Sequence, residues 1–163
     1  MTFRLAKILL VFSVALFYFL TVFNNVTDYD SNFQFVRHVL MMDSTIPGND
    51  GTWRAINQPA LHHAFYVTII LWEAATMILC GWGGLRLFRA IHGSAESFHA
   101  ASNVAVGGLT LGLLLWLVAF LGVGGEWFLM WQSKLWNGQD AAFRMFSVVA
   151  IVLVIVLQRD SDS

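Results

Sequence analysis

Four stretches of the chain are almost uninterrupted runs of apolar residues, and the segments between them carry most of its charge. Residues 8–27 contain no charged side chain and follow Arg4 and Lys7. A hydrocarbon core about 30 Å thick needs about 20 helical residues, so this run is long enough to cross a bilayer. No small-x-small cleavage pattern follows it, and it is expected to be a retained first span rather than a cleaved leader. A second run begins near His63, just after Pro59, which can open a helix because its missing N–H would be unpaired there anyway. Glu73 is its only acid. The third run, 100–125, is free of charge. The fourth is shorter to the eye, but Asn137 can cap it and Asp140 falls where the helix dipole favours an acid. Counted from residue 138 to 158 it is about 31 Å long. The pattern predicts an all-α membrane protein, a four-helix transmembrane bundle with spans at about 5–27, 60–88, 100–125 and 138–158 in a single membrane domain covering 1–163.

The loop 28–59 has a period of its own. Phe35, Val36, Val39, Leu40 and Met42 share one face at 100° per residue, while Gln34, Arg37 and His38 share the other. Ser31 followed by Gln34 has the form of a capping box. A short amphipathic helix is therefore expected in the outer interface or across the mouth of the bundle, ending before the turn-forming stretch at 46–51. The other long loop, 126–137, carries Trp127, Trp131 and Trp136, which suits the headgroup level, where an indole ring is half wet.

Composition agrees with the pattern. Of 163 residues 58% are hydrophobic and 12% charged, about half the charge of an ordinary soluble domain. The net charge of −1 and the lack of a basic stripe argue against nucleic acid as a partner. With Cys80 alone, an intrachain disulfide, a dithiol relay and a CxxC metal site are excluded. Arg4, Lys7, Arg86, Arg89 and Arg159 abut span ends on one side, whereas Arg37 and Arg54 lie within a long loop and Lys134 and Arg144 complete the other side. That placement predicts cytoplasmic N and C termini.

Few residues carry candidate chemistry. Glu73, ten residues after His63, is expected about 15 Å along its helix, near the bilayer midplane. An acid at that depth should face the bundle and find a partner; Thr110, Trp116 and Tyr18 are the candidates. Arg144 is expected to pair with Asp140, four residues earlier, or with Glu126. A ligand or proton site would draw on Glu73, Trp116 and Arg144. His38, His62, His63 and Met41 bring copper-friendly donors to the outer side, but at no recognised spacing, and no metal or other cofactor is expected. Gly108 and Gly112 form a GxxxG stripe, and Cys80 adjoins three further glycines; both read as close helix packing.

Four blocks, in order, resemble a bacterial family of predicted small integral membrane proteins with a domain of unknown function. They are Asn24-Asn25-Val26-Thr27-Asp28-Tyr29, the stretch Phe35 to Asp43, Trp53-Arg54-Ala55-Ile56, and the stretch Gly125 to Arg144. The resemblance covers nearly the whole chain and implies four spans in the bacterial inner membrane; it implies no activity. No nucleophile–base pair, metal set or phosphate loop is present to suggest an enzyme. The expectation is a non-enzymatic accessory subunit in the lipid bilayer, within a larger membrane-protein complex or homo-oligomer. It would dock through an outer surface of Phe35, His38, Trp53, Arg54, Glu126, Trp127, Trp131 and Trp136. The alternative is a binder or carrier of a lipid-like molecule, a quinone or a proton around Glu73.

Overall fold

The computed structural model describes residues 1–160 and is all-helical, with no strand among the described residues. Four helices are long and apolar enough to cross a membrane: α1 (Thr2–Thr27), α3 (Pro59–Arg89), the third helix Asn103–Trp127, and α6 (Gln139–Leu157). The third is built in two parts, α5 (Asn103–Leu114) continuing into a π-helical segment, Leu115–Trp127. Two shorter α-helices, α2 (Tyr29–Met41) and α4 (Ala95–Ala101), and two 3-10 turns, Asp50–Arg54 and Met130–Gln132, complete the set among the described residues. Large apolar side chains such as Leu16, Leu71, Ile78 and Ile151 point outward along the long helices. An outward apolar surface of that extent belongs in lipid.

α3 is the central helix and packs on α1 and α5; α6 closes the bundle against α5 and the π segment. The α3–α5 seam has one antiparallel register. A Cβ on Gly83 would lie 2.4 Å from the Ala105 backbone, one on Gly108 2.8 Å from the Cys80 backbone, and one on Gly112 2.9 Å from Thr76. The small residues read from the sequence thus bring backbones into contact, which is how helices gain dispersion energy in lipid. Cys80 is fully buried against Gly108.

At one end of the bundle lie the start of α1 and the end of α6. Lys7 is 1% exposed there. It donates to the Gln158 carbonyl and, at 2.9 Å, to Asp160, with the Phe98 ring beside it. Arg4 donates to the carbonyls of Ile91 and Gly93, tying α1 to the turn before α4. Ser94 caps α4 by accepting from the Ser97 N–H.

The opposite end carries a cap. α2 follows α1 after Asp28 alone, and it turns Phe33, Val36, Val39 and Leu40 inward. The two loops lock over it. Gln132 accepts from Ile46 N–H and Asn49, Ser44 donates to Ser133 at 2.8 Å, and the His38 ring stacks on Trp136 with centroids 4.6 Å apart. His62 donates to the Ile56 carbonyl, and Ile56 N–H to Leu40. The capping box expected at Ser31 does not form. The helix already starts at Tyr29, so the Ser31 hydroxyl donates to Asp28 and Gln34 donates to Asp30. Asn137, expected to cap α6, stands two residues before Gln139 and accepts from its N–H, while Gly138 takes the N-cap place; Asp140 lies in the first turn.

Candidate functional site: a buried carboxyl beneath the cap

Glu73 is 2% exposed on the inner face of α3. Its partner is Asn25, in the last turn of α1, whose Nδ2 donates to Glu73 Oε2 at 2.7 Å. Asn25 Oδ1 in turn accepts from Asn32 Nδ2 at 2.8 Å, and Asn32 is exposed on α2. A hydrogen-bonded chain thus runs from the buried carboxyl to the protein surface beside the cap. The three partners expected for Glu73 do not serve. Trp116 Nε1 donates to the Tyr18 hydroxyl at 2.8 Å, and that hydroxyl donates to the Gly112 carbonyl. Thr110 faces outward. The Trp116–Tyr18–Gly112 link lies beside the carboxyl as a floor, and the apolar core of Ile8, Val11 and Leu109 continues beyond it.

Glu73 lines a cavity of about 250 Å³ together with Asn25, Asn32, Trp116 and Phe120, and with Gly138 and Ala141 at the start of α6. The second oxygen of Glu73 accepts no hydrogen bond from any described residue. No Lys, Arg or His lines the cavity. Glu73 is level with the last turn of α1 and the first turn of α6, yet it stands midway along α3 and opposite the middle of the third helix, because those two helices run on past α1 and α6 into the cap. α6, at 19 residues, is about 28 Å long, just under the thickness of a hydrocarbon core. The first turns of α3 lie in the cap. His62, His63 and Tyr66 belong to the cap, where His63 stacks on Phe33 and shares a hydrogen bond with Tyr29.

The third helix changes type at this level. Leu115 and Trp116 share the buried face of the π segment with Gly124 and Gly125, nine residues on. Two turns of α-helix take about 7.2 residues, so only a wider helix aligns these pairs. Trp116 and Phe120 stand in contact, ring centroids 4.8 Å apart, on the wall of the cavity.

Other expected site residues are dispersed. Arg144 is exposed and lines no part of the cavity; it forms no ion pair with Asp140 or Glu126 among the described residues. All three side chains point outward, where solvent or headgroups satisfy them at lower entropic cost than a fixed pair. Phe35, expected on the outer surface, is turned under α2 toward Phe120 because its position lies on the apolar face. His38 donates to Asp43 at 2.6 Å while stacked on Trp136. His38, His62 and His63 therefore sit in three separate contacts. Met41 is half-buried, and no group of three His, Cys, Asp or Glu is brought together among the described residues. Trp53, Arg54 and Trp127 form a cluster in which the guanidinium lies 5.6 and 5.2 Å from the two rings. Arg54 also donates to the Trp127 carbonyl at 2.9 Å, and Glu126 and Trp131 are exposed nearby.

Fold and site together define an integral membrane protein with multiple spans and a buried carboxyl facing an internal cavity. Over residues 3–159 the chain matches the family described as predicted small integral membrane protein (DUF2165), and it belongs to that family. No curated protein and no solved structure matches it.

Proposed function

We propose that this protein binds a small amphipathic, lipid-like molecule in the chamber beneath α2, and that it is a non-enzymatic protein of the bacterial inner membrane. The observation that carries the reading is a buried carboxyl with one oxygen unfilled, open to a cavity with no cation in its wall. The second oxygen lies open to the cavity and is free to accept a hydrogen bond from whatever fills it. The chamber lies level with the end of α1 and the start of α6, where a lipid-like head would sit. Its one hydrogen-bonded chain leads to the capped side, which favours a binding site over a path through the bundle. Glu73→Gln keeps the size of the side chain and tests this. Wild-type protein purified in mild detergent is expected to retain an amphipathic molecule, seen by native mass spectrometry. The variant should fold normally and lose about tenfold or more in occupancy, since hydrogen bonds to charged groups contribute about 1.5–3 kcal/mol. Equal occupancy in the two proteins would sink the reading.

The accessory-subunit reading stands second. It is supported by the exposed Trp53, Trp127, Trp131 and Leu135 on the capped end, since such aromatic clusters anchor interfaces as well as headgroups. Under it, Trp127→Ser with Trp131→Ser releases a co-purifying membrane protein while the bundle stays folded and the chamber stays occupied. If chamber occupancy falls and no partner is lost, the docking role is wrong.

The orientation we favour puts both ends of the chain in the cytoplasm. Arg4, Lys7 and Arg159 meet the Arg86 and Arg89 end of α3 on one side of the bundle, where basic residues mark the cytoplasmic face. On a Cys80→Ala background, a cysteine at position 50 is expected to react with an impermeant maleimide from the periplasm. Labelling from the cytoplasm alone reverses the topology.

A further inference from the structure

A second cavity of about 220 Å³ lies under the other half of α2, lined by Val39, Leu40, Thr68, Trp72, Val123 and Met130. Its wall is almost wholly apolar. Phe35, Val36, Ile69 and Phe120 line both this cavity and the Glu73 chamber, so the two adjoin across one thin partition. The partition includes the Phe35 and Phe120 rings, whose centroids are 6.5 Å apart. Either cavity alone falls below the range of about 300–1,000 Å³ usual for small-ligand sites; joined, they enter it.

We propose that the two cavities form one site for a single-chain amphiphile with a cationic amine head, the ammonium at Glu73 and the chain beside Trp72. This rests on the reading of the chamber as a binding site and names the class of molecule it takes. Charge decides the head. The chamber presents one carboxyl, with one oxygen held by Asn25, and no basic side chain in its wall. A phosphate or carboxylate head would meet an acid with nothing to neutralise either. An ammonium has three donors and no acceptor, which suits a wall offering the unfilled carboxyl oxygen and the Asn32 side-chain carbonyl. Shape decides the chain. The apolar cavity offers no polar group that a second headgroup arm could use, and its mouth is marked by Thr68, which is exposed and bonds only to its own helix at Ala64.

The test uses the full chain in phosphatidylcholine nanodiscs, titrated with ω-bromo decylamine, decanol and decanoate as quenchers of tryptophan fluorescence. Variants retaining only Trp72 or only Trp82 are compared, each first shown folded by circular dichroism and gel filtration. Trp82 is 58% exposed on the outer face of α3 and reports partition into bulk lipid. Trp72 should be quenched saturably, at least tenfold tighter for the amine than for the alcohol or the carboxylate. Glu73→Gln should bring the amine to the level of the alcohol. Across shorter and longer amines, quenching of Trp72 relative to Trp82 should stop rising once the chain fills the apolar cavity, and Thr68→Phe should bring that limit to shorter chains. Native mass spectrometry of wild-type protein with the three compounds gives the head-group order independently of any variant. Saturable binding with equal affinity for all three heads overturns the amine assignment and leaves the chamber reading standing. Quenching of Trp72 that follows Trp82 at every concentration, with no adduct in the mass spectrum, overturns both.

Discussion

Gly83→Leu is expected to prevent the bundle from assembling, whereas Gly81→Leu, two residues away, is expected to fold. A Cβ at Gly83 would lie 2.4 Å from the Ala105 nitrogen and 2.5 Å from its Cα, so the obstacle is backbone and cannot rotate aside. α3 and α5 would have to separate along the seam that also holds Cys80 against Gly108 and Thr76 against Gly112. Overpacking costs typically about 1–3 kcal/mol for added methylenes in a core that can adjust; a four-carbon side chain against backbone exceeds that. Gly83→Ala gives the graded version, a loss of about 2 kcal/mol. A Cβ at Gly81 meets nothing within 4 Å, so Gly81→Ala should be neutral or gain up to about 1 kcal/mol from helix propensity. Thermal unfolding in detergent, followed by size-exclusion chromatography, reads all four. A Gly83→Ala protein as stable as wild type would show that the seam is looser than described.

Lys7→Met is expected to cost about 3 kcal/mol or more, because it leaves Asp160 without its cation. Both groups are nearly inaccessible, with side chains 2% and 7% exposed, and the ammonium also serves the Gln158 carbonyl at the end of α6. Removing one member of a buried pair strands the other, which is why the loss exceeds the net contribution of the pair. The double variant Lys7→Met, Asp160→Asn should therefore be more stable than Lys7→Met alone, recovering part of the loss but not the carbonyl contact. The midpoint shift for the single variant should be on the order of 10 °C. If the double variant is no better than the single one, Asp160 is hydrated once Lys7 is gone and the pair is not closed.

Near Glu73, one residue went unread for a specific reason. Asn25 sits in the last turn of α1, where a polar side chain is unremarkable at a membrane boundary, and its sequence separation from Glu73 leaves no local trace. The stripe of small residues that packs Gly83 on Ala105 and Cys80 on Gly108, extended two more turns, puts Glu73 level with Leu115 and Trp116 and carries no trace of α1. The π segment was beyond sequence reading, because apolar residues on every face of that run show no period from which to measure a wider turn. Phe35 is half-buried and turns toward Phe120, as its place on the apolar face of α2 directs.

The amino-acid sequence by itself determined that four helices lie in a membrane and that an amphipathic helix follows the first. Run length against bilayer thickness and the 100° period are local properties of the chain, and bilayer and backbone enforce them without reference to any other segment. The tertiary structure alone decided that α3 overshoots the bundle into the cap, that Glu73 takes Asn25 and not Trp116, and that Arg144 faces away from the chamber. It also decided that two cavities meet behind Phe35 and Phe120. These depend on the register and depth at which separate helices settle against one another, and that is fixed by the fit of small residues and cap side chains far apart in the chain, where no local pattern reaches.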